Sequence, residues 1–290
     1  MAGERGGPAP KLDRLVKLAL ISDVHANLEA LRATLDDIAG QAVDRIVCLG
    51  DIVGYNANPA ECIALVRRPD CLCVAGNHDR AVAGAITTET FSTTAARAAA
   101  WTRRRLKADD LAFLAGLPLT AEIEGELVAV HGALHPQAGR EIVRLDDDES
   151  RGFTFEALLT HPSGARICAF GHTHRAAIYE LHDGCIALRG EDELCLRDDA
   201  YYLINPGTVG EPRGADRRAR YMVVDLAQRI VRRRRVAYDA VAPVRATRKA
   251  GLAPPLPFLS GPRRQALKRS LRALGLEAAV RERLAPRPRT

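Results

Sequence analysis

Short apolar runs that end in polar clusters recur along this chain, and helical repeats separate them. Leu18-Ala19-Leu20-Ile21 is continuously apolar, the pattern of a strand buried on both faces. Leu28, Leu31, Leu35 and Ile38 then fall at three- and four-residue steps, one face of a helix. Asp23, His25 and Asn27 therefore lie on the turn between strand and helix, where open α/β sheets bind ligands. Asp and Asn are also ordinary helix caps, so this turn by itself is open between a cap and a site.

The same arrangement returns four times before His174: residues 45–51 lead to Gly50-Asp51, and 71–79 to Gly76-Asn77-His78-Asp79. Residues 127–133 lead to His131, and 167–174 to His172 and His174. A further run, 201–210, ends in Asn205-Pro206-Gly207. Helical patterns fall at 59–68 and, as one long stretch, at 96–117, while 221–239 reads as a β-hairpin. The expected organisation is a loose leader over 1–16, one α/β domain over 17–245, and an extension over 246–290. That extension has a proline-rich linker and a basic helix broken near Gly275.

Composition narrows the class without deciding it. Hydrophobic residues make up 47%, which suits a globular protein, and no apolar stretch approaches the ~18 residues of a membrane span. The first residues lack the apolar core of a signal peptide. Seven scattered cysteines suit reduced, buried thiols and a cytoplasmic location. Cys71 and Cys73 share a strand, but no second pair completes a zinc site. A net charge of +6 invites a nucleic-acid partner. Abundant Arg, Ala, Gly and Pro all have GC-rich codons, however, so genome composition accounts for much of that bias.

Five strand ends now carry Asp23/His25, Asp51, Asn77/His78, His131 and His172/His174. Burying so many imidazoles and carboxylates together is costly without partners, and divalent cations supply them. Two aspartates, one asparagine amide and four histidines exceed what one catalytic ion takes. They suit two ions about 3.5–4 Å apart sharing a carboxylate. Mixed oxygen and nitrogen donors without cysteine fit manganese first, with iron or zinc as alternatives.

Asp23-x-His25, Gly50-Asp51, Gly76-Asn77-His78-Asp79, His131 and Gly171-His172-Thr173-His174, in this order, resemble the calcineurin-like metallophosphoesterase family over roughly residues 17 to 240. The resemblance implies a four-layer α/β/β/α sandwich with a dimetal site at the carboxyl ends of the strands. One ion would be held by Asp23, His25, Asp51 and His174. The other would take Asp51, Asn77, His131 and His172, with Asp51 bridging. His78 would face the scissile phosphate, with Asp79 orienting it. Asn27, Asn205 and Gly207 stand as candidate substrate contacts, each with a structural alternative as a cap or turn.

Protein phosphatases of this superfamily follow Gly-Asp with a segment ending in a phosphate-gripping arginine. Here "GDIVGYN" has none, and Gly-Asn-His is followed by Asp. These blocks, with "NPGTVGEPR", are instead similar to a bacterial and archaeal phosphodiesterase-like group. Arg175 departs from it, standing where proline is common. The expected activity is metal-dependent hydrolysis of small phosphodiesters or nucleotides, with diesters preferred over monoesters because the arginine is missing. Two alternatives stay open. One is a nucleic-acid-processing enzyme, suggested by Arg232–Arg235 and a tail with nine Arg and Lys against two Glu over 263–290. The other is a protein-binding scaffold, which the presence of His78 disfavours. No membrane partner is expected, and nothing in the sequence specifies an oligomer.

Overall fold

The computed structural model describes residues 16–135, 142–252 and Ser270. The expected leader, apart from Val16, and residues 253–290 of the expected extension, apart from Ser270, lie outside the described residues. Two six-stranded sheets face each other. The first takes β1 (Lys17–Ile21), β2 (Arg45–Cys48), β3 (Cys71–Cys73), β9 (Glu193–Cys195), β11 (Ala219–Asp225) and β12 (Ile230–Val236). Their order across the sheet is β3-β2-β1-β11-β12-β9. The second takes β4 (Thr120–Ile123), β5 (Leu127–Val130), β6 (Ile167–Ala169), β7 (Ala177–His182), β8 (Cys185–Arg189) and β10 (Tyr201–Asn205). Its order is β4-β5-β6-β10-β7-β8.

Strand alternation builds the layers. Leu18 and Leu20 of β1 enter the core between the sheets with Val47, Met222, Leu127, Ala129, Ile167 and Tyr202. Ala19 and Ile21 face the opposite way, into a core with the helices. Those helices are α1 (Leu28–Ala39), α2 (Pro59–Val66), α3 (Asn77–Ala83), α4 (Thr93–Arg105) and α5 (Ala108–Ala115). On the far side Val128, Val130, Cys168 and Leu203 meet Phe155 and Leu158 of α6 (Asp148–Leu159). The result is the four-layer α/β/β/α sandwich that the resemblance implied. β1, β2 and β3 run parallel, as do β5, β6 and β10. Each triplet therefore delivers its carboxyl-end loops to one edge.

Several expectations are corrected. The long helix over 96–117 is two: Leu106 turns extended and buried, and Asp110 accepts from the Lys107 amide to start α5 afresh. A seventh helix, α7 (Val241–Lys249), follows β12. Short β9 pairs with Ile230 to Arg232 of β12, leaving the rest of that strand without an outer strand partner among the described residues. Two of the seven cysteines, Cys185 and Cys195, are exposed, and all seven are free thiols. No helix among the described residues is long and apolar enough to cross a membrane.

Candidate active site

Every ligand candidate sits one to five residues past a strand, where the chain must turn sharply. Asp23, His25, Asp51, His172 and His174 all adopt the left-handed backbone, with φ between 48° and 63°. Such conformations cost about 1–3 kcal/mol each and persist only where the surroundings impose them. The surroundings here are interlocking loops. The Asp23 amide donates to Gly50 O and the His25 amide to Asp51 O. Val209 and Gly210 amides bind Ser22 O and Asp23 O from the other sheet. The Asp51 turn also needs a bare neighbour: a Cβ on Gly76 would lie 2.2 Å from both the amide nitrogen and Oδ1 of Asp51.

The structure brings the seven candidates together around Asp51 Oδ2. That oxygen is 3.5 Å from His25 Nε2 and 3.4 Å from His131 Nε2. On the first side His174 Nε2 lies 3.1 Å from His25 Nε2 and 3.3 Å from Asp23 Oδ1. On the second, His131 Nε2 lies 3.1 Å from Asn77 Oδ1 and 3.2 Å from His172 Nδ1. Asp23-His25-His174, Asp51-His131-His172 and the overlapping His25-Asp51-His78 are each compact enough to hold one ion. All are buried except His172, which is partly open.

The donor chemistry fits cations. Outward ring nitrogens are fixed by carbonyls: His25 Nδ1 by Val53 O at 3.2 Å, His131 Nδ1 by Leu49 O at 2.7 Å, and His174 Nδ1 by Glu211 O at 2.9 Å. A ring that donates Nδ1–H outward turns a lone pair inward, the usual arrangement of a ligating histidine. His25 and His174 would then face each other lone pair to lone pair at 3.1 Å. Asp23 Oδ1 is buried with no hydrogen-bond partner, an omission worth about 1–3 kcal/mol. A shared cation resolves both.

Electrostatics run the same way for His25, His172 and Asp51, whereas Asp51 draws to His131 a proton that a bound cation would displace. Burial holds the His25, His78 and His172 rings below their ordinary range, His172 at about 2, so they stay neutral. Burial would raise the Asp51 carboxyl, but the imidazoles around it, His131 foremost, hold it well below. His131 is pushed up to about 9: burial opposes charge there, and Asp51 overrides it.

His78 stands beside this cluster, packed between Tyr55 and Phe91 with ring centroids 4.8 and 4.9 Å away. Its Nδ1 is buried and unpartnered beside Gly54, where a Cβ would come within 2.3 Å. Asp79 does not orient it. Both Asp79 oxygens take backbone amides, Val53 N at 3.1 Å and Gly76 N at 3.0 Å, so this carboxylate holds the turn and the start of α3. Asn27 is likewise committed: Oδ1 caps α1 through the Ala30 amide, and Nδ2 donates to Gly210 O and Tyr238. Asn205 donates to Gly171 O and Thr173 Oγ1 and accepts from the Gly207 amide. Asn27, Asn205 and the Gly207 amide thus brace the ligand loops.

Sequence reasoning missed four neighbours. Tyr55 lies in the segment that was read only for its lack of arginine. Phe91 precedes α4. Arg144 reaches His172 O with Nη1 at 3.1 Å, and Arg213 brings Nη2 to 3.2 Å from His174 Nε2. Arg213 sits in the quoted "NPGTVGEPR", so a signal existed; Arg144 lies in a stretch with no pattern.

A family model for the calcineurin-like phosphoesterase superfamily domain matches residues 16–229. An uncharacterized protein of Methanocaldococcus jannaschii is 38% identical over 226 residues, 77% of this chain and 88% of that protein. A metallophosphoesterase from Sphaerobacter thermophilus is 34% identical in its crystal structure, with a TM-score of 0.66 over 82% of this chain and 95% of that one. A hypothetical protein from Pyrococcus horikoshii shares the fold at 17% identity, with a TM-score of 0.65 over 82% and 94% of the two chains. With its two sheets and the His/Asp groups at their common edge, the chain belongs to the calcineurin-like phosphoesterase superfamily.

Proposed function

We propose that this protein is a dimetal hydrolase of small phosphodiesters or nucleotides. The observation that carries this is Asp51 Oδ2, placed almost equally from a histidine of each ligand group. Asp23, His25, Asp51 and His174 would hold one ion, and Asp51, Asn77, His131 and His172 the other. Such ions supply Lewis acidity at phosphoryl oxygens and lower the pKa of bound water. Manganese suits this donor set, with iron or zinc as alternatives.

His78 is the protein's own contribution to the chemistry. Buried and neutral, it can give the leaving oxygen a hydrogen bond and stabilise developing charge. Tyr55 and Phe91 hold its ring in place of the carboxylate expected from sequence. Small substrates are supported by the burial of the ligands, since only His172 is partly open to solvent. The arginine missing after Asp51 no longer argues for weak anion binding, because Arg144 and Arg213 reach the cluster from other loops.

Of the two features behind the nucleic-acid alternative, the run Arg232–Arg235 is engaged within the protein. Arg232 pairs with Glu193 at 2.7 Å, Arg234 with Asp37 at 3.1 Å and Arg235 with Asp192 at 2.9 Å, while Arg233 donates to Glu191 O and Arg189 O. The test is metal analysis beside a chromogenic screen of metal-free and reloaded protein. Two equivalents of manganese, iron or zinc and metal-dependent diester hydrolysis are expected; full activity with one ion or none would sink the proposal.

A further inference from the structure

Arg144 and Arg213 reach the ligand cluster by hydrogen bonds and Arg175 adjoins it in sequence, each from a different loop. Arg144 precedes α6, Arg175 follows His174 directly, and Arg213 lies between β10 and β11. Arg144 is anchored by its bond to His172 O and by Asp146, 2.8 Å from its Nε. Arg175 and Arg213 are exposed, and neither makes an ion pair among the described residues. Their charges nevertheless converge. The hydrogen bond from Arg144, and then the charges of Arg144, Arg175 and Arg213 together, hold the Asp146 carboxyl below its ordinary range against the effect of burial.

Guanidinium groups with no ion pair among the described residues, as on Arg175 and Arg213, are poised for an anion when they sit at the opening of a buried site. Each presents a planar fork of donors that matches two phosphate oxygens at once. His174 Nε2 has one lone pair, which can accept from Arg213 or bind a cation, but not both. A cation in the cluster therefore releases the Arg213 Nη2 hydrogen for another acceptor. The scissile phosphoryl group, meanwhile, has its own partners in the centre and His78, so the rim cations are in excess of what it requires.

We propose that Arg144, Arg175 and Arg213 form an anion-binding rim that selects phosphoesters carrying a second phosphate beside the scissile one. This rests on the dimetal reading above and names the substrate class within it. Arg144 is hydrogen-bonded to Asp146 while Arg175 and Arg213 only act on it from a distance, so these two contribute most of the selectivity.

The test uses the full-length, metal-loaded protein and two matched pairs of compounds. Binding of adenosine 5′-monophosphate and adenosine 3′,5′-bisphosphate is measured by calorimetry. Hydrolysis is followed on the p-nitrophenyl ester of thymidine 5′-phosphate, with and without a 3′-phosphate. The wild type is expected to favour the bisphosphate member of each pair by about tenfold or more, the scale of one added charge-assisted contact. Arg175→Gln with Arg213→Gln should bring both ratios close to one, and the doubly Lys-substituted protein should recover part of the difference. A wild-type ratio near one, or an undiminished ratio in the Gln protein, overturns the proposal. Hydrolysis of neither ester with an intact binding ratio would reject the hydrolase and keep the rim; equal hydrolysis and equal binding would do the reverse.

Discussion

At the scale of the residue, Asp51 is the side chain on which most depends. Its Oδ2 faces both ligand groups, and its Oδ1 accepts the His78 amide at 2.8 Å. Asp51→Asn should therefore deplete both ions together and lower kcat/KM by more than the 10–100-fold typical of an outer-shell change, roughly 100-fold or beyond. Elemental analysis of the variant checks this, and retention of two equivalents would count against a bridging role. His78→Asn should separate chemistry from binding. It removes a group that lies outside the proposed ligand sets, so metal content should hold while kcat drops by about 10²–10⁴-fold, the range of one general acid. Loss of metal from that protein would instead make His78 a ligand.

At the scale of the element, the clasp of α1 onto the first sheet is open to test. Tyr221 of β11 donates to Asp37 of α1 at 2.5 Å, and Arg234 of β12 pairs with the same carboxylate at 3.1 Å. Tyr221→Phe should lower stability by about 1 kcal/mol, a typical net value for one hydrogen bond. Asp37 also gives a pH signature. Partial burial alone would raise its pKa, but the hydrogen bonds from Tyr221 and Arg234 depress it. A depressed carboxylate stabilises fully above its unfolded value of about 3.9, and loses that contribution as pH falls through the folded value. The Tm difference between wild type and Asp37→Asn should stay level from about pH 5 to 8 and shrink in more acid solution. A difference that grows on acidification would contradict the assignment.

At the scale of the whole molecule, the two sheets act as one frame for a site that neither holds alone. Asp23, His25, Asp51 and Asn77 come from the first, and His131, His172 and His174 from the second. The segment after β10 ties them by hydrogen bonds from Val209 and Gly210 to the Asp23 turn. These ligands and ties all lie between Ser22 and Gly210, ahead of the basic stretch 263–290. A chain ending at Pro262 should accordingly keep its metal content and its kcat/KM on small esters, with a lower Tm if the amphipathic stretch docks on the domain. Salt-sensitive oligonucleotide binding that vanishes with this truncation would restore the nucleic-acid alternative, because phosphate contacts weaken steeply with salt.

What the sequence determined by itself was local and periodic. Continuous apolar runs marked the buried strands, and the acids, amide and histidines just past them marked the site edge, because a strand buried on both faces can present polar groups only where it ends. Elements with weak periodicity escaped: α6 and the exposed β8 carry little pattern, although Asp183-Gly184 at φ 49° and 72° was a legible hairpin turn. Only the tertiary structure decided the partners. Asp79, Asn27 and Asn205 have the residue types of a site, yet their oxygens and amides are engaged mostly by backbone groups, some close in the chain and some far away. Arg232 to Arg235 look like a patch for nucleic acid until Glu193, Asp37 and Asp192 arrive beside them. Arg144 and Arg213 look like ordinary surface charge until folding carries them to His172 and His174. Residue type sets what a side chain can do, but its hydrogen bonds and charge are claimed by whichever groups the packed sheets bring within about 3 Å.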